Sequence, residues 1–180
     1  MAGHRASPPI RKPPSVTIVL FAGRRRARAQ RCLASVLSQP SPGPAGVLLY
    51  ECAAAAAPMP GSEHPSVKNL RAPGGLGSGG LRAHAVRAAA APIVAFLEEH
   101  VTVGPDWLDA VRAAFDEGAA AAGAVVVNAN PGEGVSDAVY LMNYAPFAPT
   151  ASLQVEADRF EGRNTAYRRD VLLMYGERLP

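Results

Sequence analysis

With 180 residues, 48% of them apolar and 18% charged, the chain is long enough for one domain with its own core and too apolar to remain disordered. Its longest apolar runs, "VTIVLFA" and "AAAAPIVAFL", fall short of the roughly 20 residues a membrane-crossing helix needs. The net charge of +3 is unevenly placed, because residues 1–50 hold eight Lys or Arg and no acid.

The opening "MAGHRASPPIRKPP" is basic and proline-rich and lacks the apolar centre of a secretion signal, so residues 1–14 read as a flexible arm. "SVTIVLFAG" is a β-branched run closed by Gly23, the pattern of a buried strand. The next segment sets Cys32, Leu33, Val36 and Leu37 on one helical face, and Pro40 stops it. Five arginines of "GRRRARAQR" lie at the start of that helix. With so few aromatics beside them they read as a solvated face, and no nucleic-acid partner is expected.

"GVLLYE" gives a second strand, "AAAAAPMPGSEHPS" an irregular connection, and "VKNL" a third strand. The glycine-rich "APGGLGSGGL" reads as a loop, followed by a helix over "RAHAVRAAAA" that Pro92 stops. "PIVAFL" is the fourth strand and "GPDWLDAVRAAF" a helix with Trp107, Leu108, Val111 and Phe115 on its apolar face. "AAGAVVVNA" reads as a fifth strand and "NPGEG" as a turn, whereas residues 135–160 fit no pattern. "EGRNTAYRRDVLLMYG" suggests a short strand running into a helix with Asp170 as its N-cap.

Apolar strands alternating with helices predict an α/β fold, a mostly parallel sheet with helices on both faces. Ligands of such sheets bind beyond the carboxyl ends of the strands. There the fourth strand delivers Glu98, Glu99 and His100, whose lone pairs suit a divalent cation such as Mn²⁺ or Mg²⁺. Gly75, Gly77 and Gly80 have dinucleotide-fingerprint spacing but no strand directly before them, so a flexible connection is the better reading. His4, His64 and His84 have no partner in the sequence pattern. The two cysteines, Cys32 and Cys52, lack metal-like spacing and suggest a reduced, cytoplasmic setting.

From residue 15 to residue 180 the order of these motifs resembles the inverting glycosyltransferases of family 2, which have the GT-A fold. "SVTIVLFAGRRRARAQRCLASVLSQ" is similar to the family's first strand, nucleotide-facing loop and first helix. "GVLLYE" resembles its second strand, "GLGSGGLRAHAVRAAAAPIVAFLEEH" the helix leading into its acidic metal motif, and "VGPDWLDAVRAAF" its Pro-x-Trp-Leu helix. "EGRNTAYRRDVL" resembles its Gly-x-Asn-x-x-Tyr/Phe-Arg-Arg segment.

The resemblance implies transfer of a sugar from a nucleotide-diphospho-sugar to an acceptor hydroxyl, with inversion and with help from a divalent cation. It implies that Phe21, Gly23, Glu51, Arg82, Glu98 and Glu99 face the donor, with Glu51 at the nucleoside and Arg82 at the diphosphate. Glu98 and His100 would hold the cation, Gly162, Asn164 and Arg168 would line the sugar and acceptor side, and Trp107 would be mainly core. Departures from the pattern are His100 in place of an acid, Ala83 in place of an asparagine, and "FAGRR" in place of a Tyr-Asn pair. The family's catalytic base would fall beyond Pro180, so the domain over 15–180 is expected to be incomplete at its C-terminal end. The alternative is a domain that binds a nucleotide-sugar without transferring it.

Overall fold

A computed structural model describes residues 15–40, 45–52, 57–148 and 164–176. The elements run β1 (Val16–Ala22), α1 (Arg26–Leu37), β2 (Ala45–Glu51), β3 (Val67–Arg71), α2 (Ser78–Ala88), β4 (Ile93–Glu98), α3 (Trp107–Asp116), β5 (Ala121–Gly123), α4 (Gly134–Tyr144), β6 (Thr165–Arg168) and α5 (Arg169–Tyr175), with a short 3₁₀ turn at Ala145–Phe147. The sheet order is β3-β2-β1-β4-β6-β5. The first four strands are mutually parallel. β6 runs antiparallel to both of its neighbours.

β1 shows why the sheet is covered twice. Ile18 and Leu20 point into a core shared with Leu33 of α1, Leu97 of β4, and Leu108 and Phe115 of α3. Val19 points the other way, into a core shared with Val86 of α2, Phe96 of β4 and Leu172 of α5. A strand whose two alternating rows both meet helices reads as one unbroken apolar run, as "VTIVLF" does. The expected α/β architecture is therefore present, with its parallel strands all ending on one edge.

Three local readings change. Ser78, Gly79 and Gly80 are the first turn of α2, not loop: Gly77 takes the N-cap place and its carbonyl accepts from Leu81 N–H at 3.0 Å. The fifth strand shrinks to three residues, since β6 offers only Thr165, Ala166 and Tyr167 as its partners. Val125 and Val127 leave the sheet and stand 52% and 69% exposed. Asp170 lies inside the first turn of α5, where its Oδ1 accepts from Val171 N–H, and Arg168 takes the N-cap place. α4 occupies part of the stretch whose sequence showed no period, and none of its residues is buried. Residues 1–14, expected to form an arm, lie outside the described residues, as does Gly162.

Candidate functional site

β1 lies between β2 and β4, with Ala22 level with Glu51 and Phe21 level with Glu98. The chain turns outward in opposite directions from β1, toward β2 and β3 on one side and β4 on the other, which opens a crevice at the carboxyl edge. Glu51 and Glu98 are the last residues of their strands, separated by the width of β1, roughly 10 Å at ordinary strand spacing.

A cavity of about 230 Å³ opens there, lined by Phe21, Ser78, Leu81, Arg82, Phe96, Leu97, Glu98 and Glu99. Its floor is aromatic: Phe21 stacks on Phe96 with centroids 6.4 Å apart and meets Tyr50 at 5.5 Å. The Arg82 guanidinium stands over the Phe96 ring, 5.8 Å from its centroid. That places a cation on an apolar platform beside the N-terminal turn of α2, where the amide dipoles also favour negative charge. Beneath the floor the Tyr50 hydroxyl shares a 2.8 Å hydrogen bond with His84 Nδ1, and burial pushes the Tyr50 pKa up.

Each acid at this edge is committed to a defined partner. Arg26 Nη1 donates to Glu51 Oε1 at 3.2 Å, while its Nη2 donates to the Ala57 carbonyl at 2.9 Å. Gly23 N–H donates to Glu99 Oε2 at 2.6 Å. A side chain at position 23 would intrude here, since a Cβ would stand 3.2 Å from that same oxygen. Burial, and then the Glu99 charge, raise the pKa of the neighbouring Cys52 thiol. Glu98 Oε2 lies 3.2 Å from His100 Nδ1, and His100 Nε2 lies 3.0 Å from the Tyr144 hydroxyl.

The cation expected from the resemblance can be weighed against this geometry. Among the described residues no three His, Cys, Asp or Glu side chains converge on one point. Two do: Glu98 and His100 present an oxygen and a nitrogen 3.2 Å apart. Adjacent ligands about 2.1 Å from an octahedral cation stand about 3 Å from each other, so the pair has the right separation. A ligating imidazole ordinarily donates its other N–H to an oxygen, and the Tyr144 hydroxyl is in place to receive it. Two protein ligands suit a cation whose other positions are filled by phosphate oxygens and water.

A second cleft, about 270 Å³, lies on the other side of the β4 tip and is lined by His100, Trp107, Val125, Val127, Tyr140, Tyr144 and Asn164, among others. Leu97 lines both clefts.

Phe21, Arg82, Glu98 and Glu99 thus surround one cavity, Gly23 and Glu51 adjoin it along β1 and β2, and His100 and Asn164 face the second cleft. Arg168 is not brought to either. β6 runs antiparallel to β4, pairing Thr165 with Phe96 but Arg168 with Ile93, at the far edge of the sheet. There its Nε donates to the Ala119 carbonyl at 3.2 Å. Sequence reading missed Arg26, buried in a run of arginines, and Tyr144, on a helix that had no legible period.

The sequence matches the Glycosyl transferase family 2 profile over residues 15–175. The chain belongs to that family. Among curated proteins no sequence matches it. Solved structures with the same GT-A fold include a mannosyltransferase, PcManGT, from Pyrobaculum calidifontis in complex with GDP-Man and Mn²⁺, at 18% identity and a TM-score of 0.65, covering 92% of this chain and 47% of that one. TarS 1–349 of S. aureus with UDP-GlcNAc has 13% identity and a TM-score of 0.61, covering 89% of this chain and 47% of that one. Glucosyl-3-phosphoglycerate synthase from Mycobacterium tuberculosis, in complex with Mn²⁺, UDP and glucosyl-3-phosphoglycerate, has 13% identity and a TM-score of 0.58, covering 88% of this chain and 58% of that one. This family 2 chain therefore spans about half the length of these structural relatives. No described helix is long and apolar enough to cross a membrane.

Proposed function

We propose that this family 2 domain binds a nucleotide-diphospho-sugar in the 230 Å³ cavity and passes the sugar, with inversion, to an acceptor hydroxyl presented from the second cleft. The observation that carries the reading is the joint placement of Arg82, Glu98 and the α2 N-terminus around one cavity at the point where the sheet reverses direction. Relatives bound to GDP-Man and UDP-GlcNAc support it.

In this reading the diphosphate lies against Arg82 and the first turn of α2, and the nucleoside extends over β1 toward Glu51. Phe21 and Phe96 exclude water beneath it, which strengthens the attraction between Arg82 and phosphate. Glu98 and His100 hold a divalent cation, which when bound neutralises charge on the departing diphosphate. Tyr144 fixes the ring of His100. The acceptor oxygen attacks the anomeric carbon from the face opposite the diphosphate, the carbon–oxygen bond to phosphate breaks, and the hydroxyl proton passes to a base. No described residue is assigned as that base. Cys32 and Cys52 are both free thiols, and the proposal carries a cytoplasmic setting.

A second reading, donor binding without transfer, is favoured by one observation: His100 stands where the resembling family has an acid. Calorimetric titration with UDP- and GDP-sugars, with and without Mn²⁺, tests both. Binding of at least one donor supports the cavity assignment, and no heat with any of them sinks it. Release of nucleotide on adding acceptor then separates transfer from binding alone.

Tyr144→Phe should leave the fold intact, because Tyr144 is half-exposed, yet weaken Mn²⁺ about tenfold, the usual size of a lost orienting contact. Mn²⁺ relaxation enhancement of water protons measures it. Unchanged affinity would remove Tyr144 from the cation's surroundings.

A further inference from the structure

Two exposed surfaces of different chemistry flank the tip of β4. The first is apolar. Val135, Val139 and Met142 recur at helical spacing along α4, with Leu141 beside them, and all four are exposed, Met142 at 83%. Another side of the helix sends Tyr140 and Tyr144 to the second cleft, whereas Val135, Leu141 and Met142 line neither cleft. An apolar stripe on a helix that buries none of its residues marks a surface that meets a partner. Leu76, exposed just before α2, adds a further apolar side chain at the same edge of the sheet.

The second surface is cationic. Arg24, Arg25, Arg28 and Arg31 are exposed on the loop after β1 and the first turns of α1. None of their guanidinium groups has a hydrogen bond or ion pair among the described residues. The carboxylates of this edge do not oppose them freely: Glu51 is held by Arg26, Glu98 by His100, Glu99 by the Gly23 amide, and Asp137 by Asn128 and the Gly132 amide. Glu133, exposed just before α4, is the exception. The two surfaces border one strand end. Gly23 N–H, one residue before the arginines, donates to Glu99, and the next residue, His100, meets Tyr144 in the last turn of α4.

We infer that this edge seats on an anionic lipid surface, with the apolar stripe of α4 lying in the headgroup layer and the arginines against lipid phosphates. Each surface supplies what the other lacks. Arginines alone attract any polyanion and an apolar stripe alone meets any apolar face, whereas a bilayer with anionic headgroups satisfies both at once. A nucleic acid offers the charge but no acyl layer for Leu141 and Met142. With 11 residues α4 lies on such a surface and does not cross it. Arg28, Arg31 and Met142 line neither cleft, so lipid binding is separable from donor binding.

The test is flotation of the full chain, at about 0.1 M salt, with phosphatidylcholine vesicles and with vesicles that contain about one-third phosphatidylglycerol. The anionic vesicles should bind about tenfold more tightly or better, and about 0.5 M salt should release most of the protein. Arg28→Gln combined with Arg31→Gln should weaken binding about twenty-fivefold, which is about fivefold for each charge. Met142→Glu should weaken it about tenfold and leave UDP and GDP affinity within about twofold. All three positions are exposed, so thermal midpoints should stay within about 2 °C of wild type. Equal binding to both kinds of vesicle, binding to neither, or undiminished binding by Met142→Glu would each overturn the inference. Duplex DNA bound as tightly as anionic vesicles at the same salt would overturn it too, and would assign the arginines to a nucleic acid. So would a dimer that Met142→Glu dissociates in a protein that ignores vesicles, which would assign the stripe to a second copy of the chain.

Discussion

Arg82→Ala should weaken binding of UDP and GDP by about ten- to a hundredfold, the worth of one or two charge-assisted hydrogen bonds. The expected loss is large because Arg82 is held against the Phe96 ring in a cavity that also contains two carboxylates, Glu98 and Glu99. A diphosphate brought near those acids without the guanidinium meets repulsion on two sides. Arg82→Lys should recover part of the loss, keeping the charge but not the planar fork. Uridine and guanosine, which carry no phosphate, should bind wild type and Arg82→Ala alike. Calorimetry at fixed ionic strength separates the cases, and an Arg82→Ala protein that binds nucleoside diphosphate as tightly as wild type would show that the diphosphate lies elsewhere.

That prediction could be framed from the sequence because the family resemblance singles out Arg82, which stands on α2, while Glu98 ends β4 and Glu99 follows it directly. The spacing of a helix and the end of an apolar strand fix where such side chains emerge. The same logic made β1, β2 and β4 legible: strands buried on both faces need unbroken apolar runs, and those runs are short enough to count. Legibility failed where the fold depends on pairing between distant segments. Nothing local in "AVVVNA" says that its partner strand begins only at Thr165, so a β-branched run that looked like a core strand became the wall of a cleft. Arg168 failed for a related reason. It is one of two adjacent arginines in a motif, and only the antiparallel course of β6 shows that it lies at the opposite edge from Asn164. Tyr144 was invisible because α4 buries none of its residues and so shows no apolar period.

The contrast between buried and exposed apolar residues yields the other large effect. Leu97→Ala should destabilise the protein by about 2–5 kcal/mol, seen as a lower urea midpoint with an unchanged slope. Leu97 is 1% exposed, lies level with Leu20 of β1, and belongs to the core that also holds Leu33 and Leu108. Three elements fix the walls around it, so the space left by three lost carbons closes only in part. Val127→Ala removes two carbons from a side chain that is 69% exposed and should shift stability by no more than about 0.5 kcal/mol. Were Val127→Ala to cost as much as Leu97→Ala, residues 125–127 would be part of the packed sheet, and the cleft assigned to the acceptor would lose its wall. Leu97 also lines both clefts, so the stability it provides is placed directly beneath the two ligands that the β4 tip is proposed to bring together.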